Sequence, residues 1–120
     1  MKDFLDSAAT FTAKMMRANL ARTVTYRRGP LSVEIPATVG RSEMDLLDES
    51  GAAIRVASRD YLVAAADLVL GGAAVEPARG DRIEDARDGT FEVLSPGTGE
   101  PDWRWMLNRR MYRVHVKEVS

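Results

Sequence analysis

Apolar residues first recur along the chain at helical spacing. Phe4, Ala8, Phe11, Met15 and Ala18 follow one another at steps of four and three, which puts them on one stripe of a helix. Leu5 and Leu20 widen the stripe, Lys2, Asp6, Lys14 and Arg17 lie mostly off it, and neither Gly nor Pro interrupts it. The pattern predicts an N-terminal α-helix over residues 1–21, with a face suited to its own core or to docking another subunit. From Arg22 the period becomes two. Thr23 to Arg28 alternates, Gly29-Pro30 turns, and Leu31 to Ala37 alternates again, as in a β-hairpin whose second strand ends or lies at an edge at Pro36.

Residues 40–51 break this rhythm. One positive and four negative side chains stand there between two glycines, with Met44, Leu46 and Leu47 among them, and the expectation is a mobile surface loop at about 40–52. Ile54-Arg55-Val56 and Asp60 to Val63 read as short strands, Ala64 to Leu68 as a helical turn stopped by Gly71-Gly72. Asp88-Gly89 marks a tight hairpin turn between Arg82-Ile83-Glu84 and Thr90 to Leu94. Trp103-Arg104-Trp105 and Tyr112 to Lys117 close the chain as two alternating strands joined across residues 107–110. The expected fold is mainly β, a small β-barrel or β-sandwich of six to seven short strands over residues 22–120 after one N-terminal helix.

Length and composition narrow the function classes. A chain of 120 residues has room for a single domain. No stretch has the basic start and unbroken apolar run of a signal peptide or the ~20 apolar residues of a spanning helix, so a soluble, cytoplasmically made protein without a membrane partner is expected. Zero Cys removes disulfides, thiolate nucleophiles and Cys-based zinc sites, and a single His leaves carboxylates as the plentiful metal ligands. The net charge, 17 − 18 = −1, argues against a general polyanion binder. That total is a cancellation: residues 1–30 carry 6 − 2 = +4, residues 31–100 carry 6 − 14 = −8, and residues 101–120 carry 5 − 2 = +3. Two basic ends suit the acidic middle of another copy.

Candidate chemistry is sparse. His115 has no sequence signature for an orienting carboxylate or a nucleophile, and is expected to point to solvent or a partner. Asp81, Glu84, Asp85 and Asp88, interleaved with Arg79, Arg82 and Arg87, read as a solvated, salt-bridged hairpin, since the register of a calcium loop is absent. No glycine pair has the surroundings of a phosphate loop. Trp103 and Trp105 share one strand face, where they either cap the core or stack nucleic-acid bases. Arg27 and Arg28 in the first hairpin, with Arg109 and Arg110 near the carboxyl end, are candidate contacts for acidic patches on a neighbouring copy. No cofactor, metal or catalytic residue is expected.

Val24-Thr25-Tyr26-Arg27-Arg28-Gly29, Val33 to Thr38, Asp60 to Val63, Pro77 to Ile83, Phe91 to Leu94, Trp103-Arg104-Trp105 and Tyr112 to Lys117 follow one another in this order. Together they resemble the lambda-type phage head-tail joining proteins, also called head-completion or head-tail connector proteins. The resemblance implies a structural, non-enzymatic neck protein of a phage or prophage: a ring, usually of six copies, between portal or adaptor and tail. The free chain would be a monomer in the host cytoplasm that orders on assembly, with contact to packaged DNA. Under that reading Phe4, Phe11, Met15, Arg27, Arg28, Met44, Leu46, Leu47, Trp103, Arg109 and Arg110 are the expected subunit or partner contacts. A tail-terminator or other neck component is the near alternative. A nucleic-acid-binding barrel and a metal-assisted hydrolase on the carboxylate hairpin are alternatives of other classes.

Overall fold

The computed structural model describes residues 21–97 and 99–119. The expected N-terminal helix, with Phe4, Phe11 and Met15, lies outside the described residues. The chain from Arg22 onward forms a closed six-stranded β-barrel with one extra strand. Strands β1 (Arg22–Arg28), β2 (Leu31–Leu47) and β3 (Ala53–Ala64) are followed by a 3₁₀ turn at Ala65–Asp67 and a small hairpin, β4 (Val69–Leu70) and β5 (Ala73–Ala74), turning on Gly71-Gly72. Then come β6 (Arg82–Asp85), β7 (Gly89–Val93), β8 (Trp103–Met106) and β9 (Met111–Glu118).

The barrel closes in the order β1-β2-β3-β9-β7-β6 and back to β1, all antiparallel. Strand β8 lies outside the circle, paired to the first half of β9. Period-two alternation aims Val24 and Tyr26, Ile35 and Ala37, Tyr61 and Val63, Ile83, Phe91 and Val93, and Tyr112, Val114 and Val116 at one interior cluster. Two buried carboxylates brace it. Asp81 accepts the Tyr26 hydroxyl and both a 2.8 Å Nε and a 2.8 Å Nη bond from Arg28. Asp85 accepts the Tyr61 hydroxyl at 2.7 Å and Arg22 at 3.1 Å. The expectation of a solvated hairpin therefore needs correction: Glu84 and Asp88 fit it, but Asp81 and Asp85 are buried, each accepting the hydroxyl proton of a core tyrosine.

Two further expectations change. Segment 40–52 is not a loop. Strand β2 runs 17 residues, through Pro36 and on to Leu47, pairing β1 through Ala37 and β3 from Thr38 onward. Pro36 interrupts nothing because it precedes the β3 ladder, where that side of β2 is still an edge. The turn at residues 48–52 is tied by Asp48, whose Oδ1 accepts from Ser50 N at 2.9 Å and Ala52 N at 3.0 Å. The strands are also not uniformly short, since β2 and β3 together form an arm that outruns the barrel.

Candidate functional site

The arm is built from residues 39–47 of β2 and 53–60 of β3. In the barrel the odd-numbered residues of β2 and β3 face the core, but beyond Gly40 and Arg59 the even-numbered ones become the apolar face. Met44 pairs with Val56 and Leu46 with Ile54 across the ladder, so these four side chains share one face. The opposite face carries Glu43, Asp45 and Arg55, where Arg55 reaches Glu43 at 3.2 Å and Asp45 at 3.3 Å, and Arg41 reaches Glu43 at 3.1 Å. Leu47, expected to act with Met44 and Leu46, stands on this charged face beside Ala53 and is 70% exposed.

The apolar face meets the chain at Gly97, where Ser95 Oγ lies 2.6 Å from the Gly97 carbonyl and 2.7 Å from that of Glu100 and accepts from Gly97 N. Leu46 lies against Gly97, where an added Cβ would meet Leu46 Cδ1, the flexible end of that side chain, and push it aside. Met44, Leu46 and Val56 are half-buried and Ile54 is 43% exposed. Two open clefts flank the contact. One, of about 430 Å³, is lined by Ser42, Met44, Arg104 and His115; the other, of about 700 Å³, by Val56, Arg59, Phe91 and Leu94.

Where the arm leaves the barrel, a polar cluster pins it. Asp60 is fully buried and accepts four side-chain bonds: His115 Nδ1 at 2.7 Å, Ser58 Oγ at 2.7 Å, Ser42 Oγ at 2.5 Å and Arg113 Nη1 at 2.6 Å. Burial alone would raise the carboxyl, but the bonds from His115, Ser42, Ser58 and Arg113 outweigh it and hold the group at about 2. Arg113 reaches Asp60 across Gly40, where an added Cβ would press within 3.3 Å of its Nη1. His115, expected at the surface, is 1% exposed, because it pairs with Asp60 across β3 and β9 at this junction. Nothing in the spacing of Ser42, Ser58, Asp60, Arg113 and His115 announced the cluster, which exists only once β2, β3 and β9 are in register. Its shape is that of a structural clamp: a single imidazole nitrogen serves the carboxylate, and the hydroxyls also donate to it.

The remaining candidates are placed apart. Arg27 forms a two-bond pair with Glu84 at 3.0 and 3.1 Å, and Arg28 bonds Asp81 and the Glu76 carbonyl, while both side chains stay partly exposed at 39% and 36%. Trp103 and Trp105 share a face as expected, and pack on Tyr112 with ring centroids 5.0 and 4.6 Å away. The indoles thus cap the barrel core rather than stand free for base stacking. Arg109 lies exposed over Trp105 at 5.9 Å, while Arg110 is half-buried. The residues the sequence reading missed on the arm are Ile54 and Val56, whose alternation with Arg55 completes the stripe begun by Met44 and Leu46.

A family model described as "Phage head-tail joining protein" matches residues 2–120, and the chain belongs to this family. No curated protein matches it. The resemblance found in the sequence is thereby shown, and the chain is a phage head-tail joining protein consistent with a virion neck assembly role.

Proposed function

We propose that this chain is a single-domain ring subunit, six copies of which sit between the portal or its adaptor and the tail-terminator or tail protein, acting structurally and not as a catalyst. The free chain is a monomer in the host cytoplasm, and the ring forms when the neck is built. The observation that carries the reading is the arm. A closed barrel satisfies its own hydrogen bonds and buries its own core, so a hairpin with a half-exposed apolar face standing outside it has no use in the isolated fold. Met44, Leu46, Ile54 and Val56 form the docking stripe, and the sequence stripe of Phe4, Phe11 and Met15 supplies a second apolar contact.

The test is head-tail complementation with Met44→Asp and Ile54→Asp. Joined particles are expected to fall at least tenfold, while circular dichroism and thermal unfolding of the purified variants stay near the parent. Leu47→Asp, on the charged face, serves as the control and should join normally. Normal joining by both stripe variants would remove the arm from assembly.

A further inference from the structure

Two features of the arm are unused by an apolar docking face: its two strand edges. On β2, pairing with β1 stops at Ala37, and residues 41–47 are bonded to β3 alone. On β3, pairing with β9 starts at Arg59, so residues 53–58 are bonded to β2 alone. Among the described residues, the backbone bonds outside the ladders at this end are those of the turn itself, Asp48 N to Ala52 O at 2.9 Å and Gly51 N to Asp48 O at 3.0 Å. The ribbon therefore shows two bare edges on opposite sides, and the shorter, of six residues, extends about 20 Å.

We infer that the occupant of each edge is a second copy: residues 53–58 of one subunit add antiparallel to residues 41–47 of the next, so the arms continue as one sheet around the ring. This rests on the ring reading proposed above. The geometry favours it because β2 and β3 are antiparallel. When a rotation carries one arm onto the next with both pointing the same way, the strand falling beside β3 is the neighbour's β2, which keeps the antiparallel alternation. Every copy then offers one edge and receives one, a head-to-tail contact that closes when the rotation closes.

Charge selects the same pairing. On the charged face the bare β2 edge carries Arg41, Glu43 and Asp45, with Arg41 already paired to Glu43 at 3.1 Å, and the bare β3 edge carries Arg55. Arg55 is 64% exposed and already lies between acidic neighbours of its own arm, so a second acidic strand on its free side finds the same partner. Pairing β2 with β2 would set Glu43 and Asp45 against themselves, and β3 with β3 would bring Arg55 towards Arg55. The alternating signs thus blunt the bare edges against foreign strands while leaving them complementary to each other.

The absence of cysteine makes the test direct. Single-cysteine variants on the charged face are prepared on β2 (Glu43→Cys, Asp45→Cys) and on β3 (Ala53→Cys, Arg55→Cys). Each β2 variant is mixed with each β3 variant under conditions where native mass spectrometry finds the ring, oxidised, and run on a non-reducing gel. Disulfide-linked species are expected in at least one mixed combination and in none of the variants alone. A ring that forms without any mixed cross-link, or with β2-to-β2 or β3-to-β3 cross-links, overturns the arm-to-arm sheet and leaves the ring standing. Absence of a ring from the parent protein, both at high concentration and on tail-less heads, overturns the ring reading and this inference with it.

Discussion

The barrel and the arm are made from the same two strands under opposite conditions. Inside the barrel, β3 is hydrogen-bonded on both sides and its odd-numbered residues, Tyr61 and Val63, are fully buried. Earlier in the same strand one edge is bare, and the apolar residues Ile54 and Val56 face outward on the even positions. The change occurs at Asp60, where the polar cluster holds the strand while its hydrophobic phase shifts by one residue, so that the buried set moves to the other face. Stability is therefore concentrated on one side of Asp60 and interaction surface on the other.

The sharpest way to break this contrast is to truncate both sides of it. Tyr61→Ala removes a fully buried ring packed edge-on to Phe91 at 5.6 Å and takes one of its hydrogen bonds from the buried Asp85, which should cost about 4 kcal/mol. Ile54→Ala, out on the arm of the same strand, should stay within about 0.5 kcal/mol. Urea denaturation reads both, and a comparable loss from Ile54→Ala would mean that the arm is part of the folding core.

The junction comes next. Asp60→Asn keeps the shape but leaves Arg113 without its buried counter-charge and turns one carboxylate oxygen, accepting either from Ser58 and His115 or from Ser42 and Arg113, into an amide donor. A loss of about 3 kcal/mol is expected, with the arm becoming protease-sensitive at milder conditions than the barrel. A stable variant with a protected arm would show that the ladder alone holds the hairpin.

Acid provides a gentler version of the same break. Asp60 is shifted down from 3.8 to about 2, so its contribution to stability is complete above about pH 4 and is lost as the pH falls through about 2. The shift corresponds to about 2 kcal/mol. Asp85 is also held low: burial opposes this, but bonds from Tyr61, Arg87 N and Arg22 prevail. The two are separated by comparing acid titrations of the parent with Asp60→Asn, whose stability should fall less steeply between pH 4 and 2. Parallel curves would assign the acid limb elsewhere.

Legibility in the sequence divides along the same line. Barrel strands read correctly where one face is buried and the other solvated, as in Val24-Thr25-Tyr26 and Val33-Glu34-Ile35. Asp88-Gly89 marks the turn, whose loop spans Ala86, Arg87 and Asp88 and is closed by an Asp85-Gly89 pair. The arm escaped because its alternation, Glu43-Met44-Asp45-Leu46, is out of phase with that of Ile35 and Ala37 and sits among acidic residues between glycines, the composition of a loop. The signal was the period of two, continued by Ile54-Arg55-Val56. His115 escaped for a different reason: burial of a polar side chain depends on partners 55 residues away, and no local pattern records them.

The two hairpin tips allow a final, smaller comparison. The arm turns on Gly51 at φ +87°, a conformation glycine adopts freely, with nothing within 4 Å of a would-be Cβ. The β8-β9 hairpin instead turns through Leu107, Asn108 and Arg109 at φ 50°, 53° and 62°, three non-glycine residues in the left-handed region. Each such residue costs about 1–2 kcal/mol, and the ladder closing at Met106 and Met111 enforces the shape. Gly51→Ala should therefore lose about 1 kcal/mol through φ alone, since no clash adds to it. Arg109→Gly should go the other way. It relieves one strained position and forfeits a long cation–π contact to Trp105 worth about 0.5 kcal/mol together with some backbone entropy, leaving a gain of about 0.5 kcal/mol. Thermal unfolding of the two variants under one buffer reads opposite signs if the arm's tip is relaxed and the other strained. A loss in Arg109→Gly would mean that Arg109's contacts outweigh the strain, and would move that tip from a burden on the fold to a part of its support.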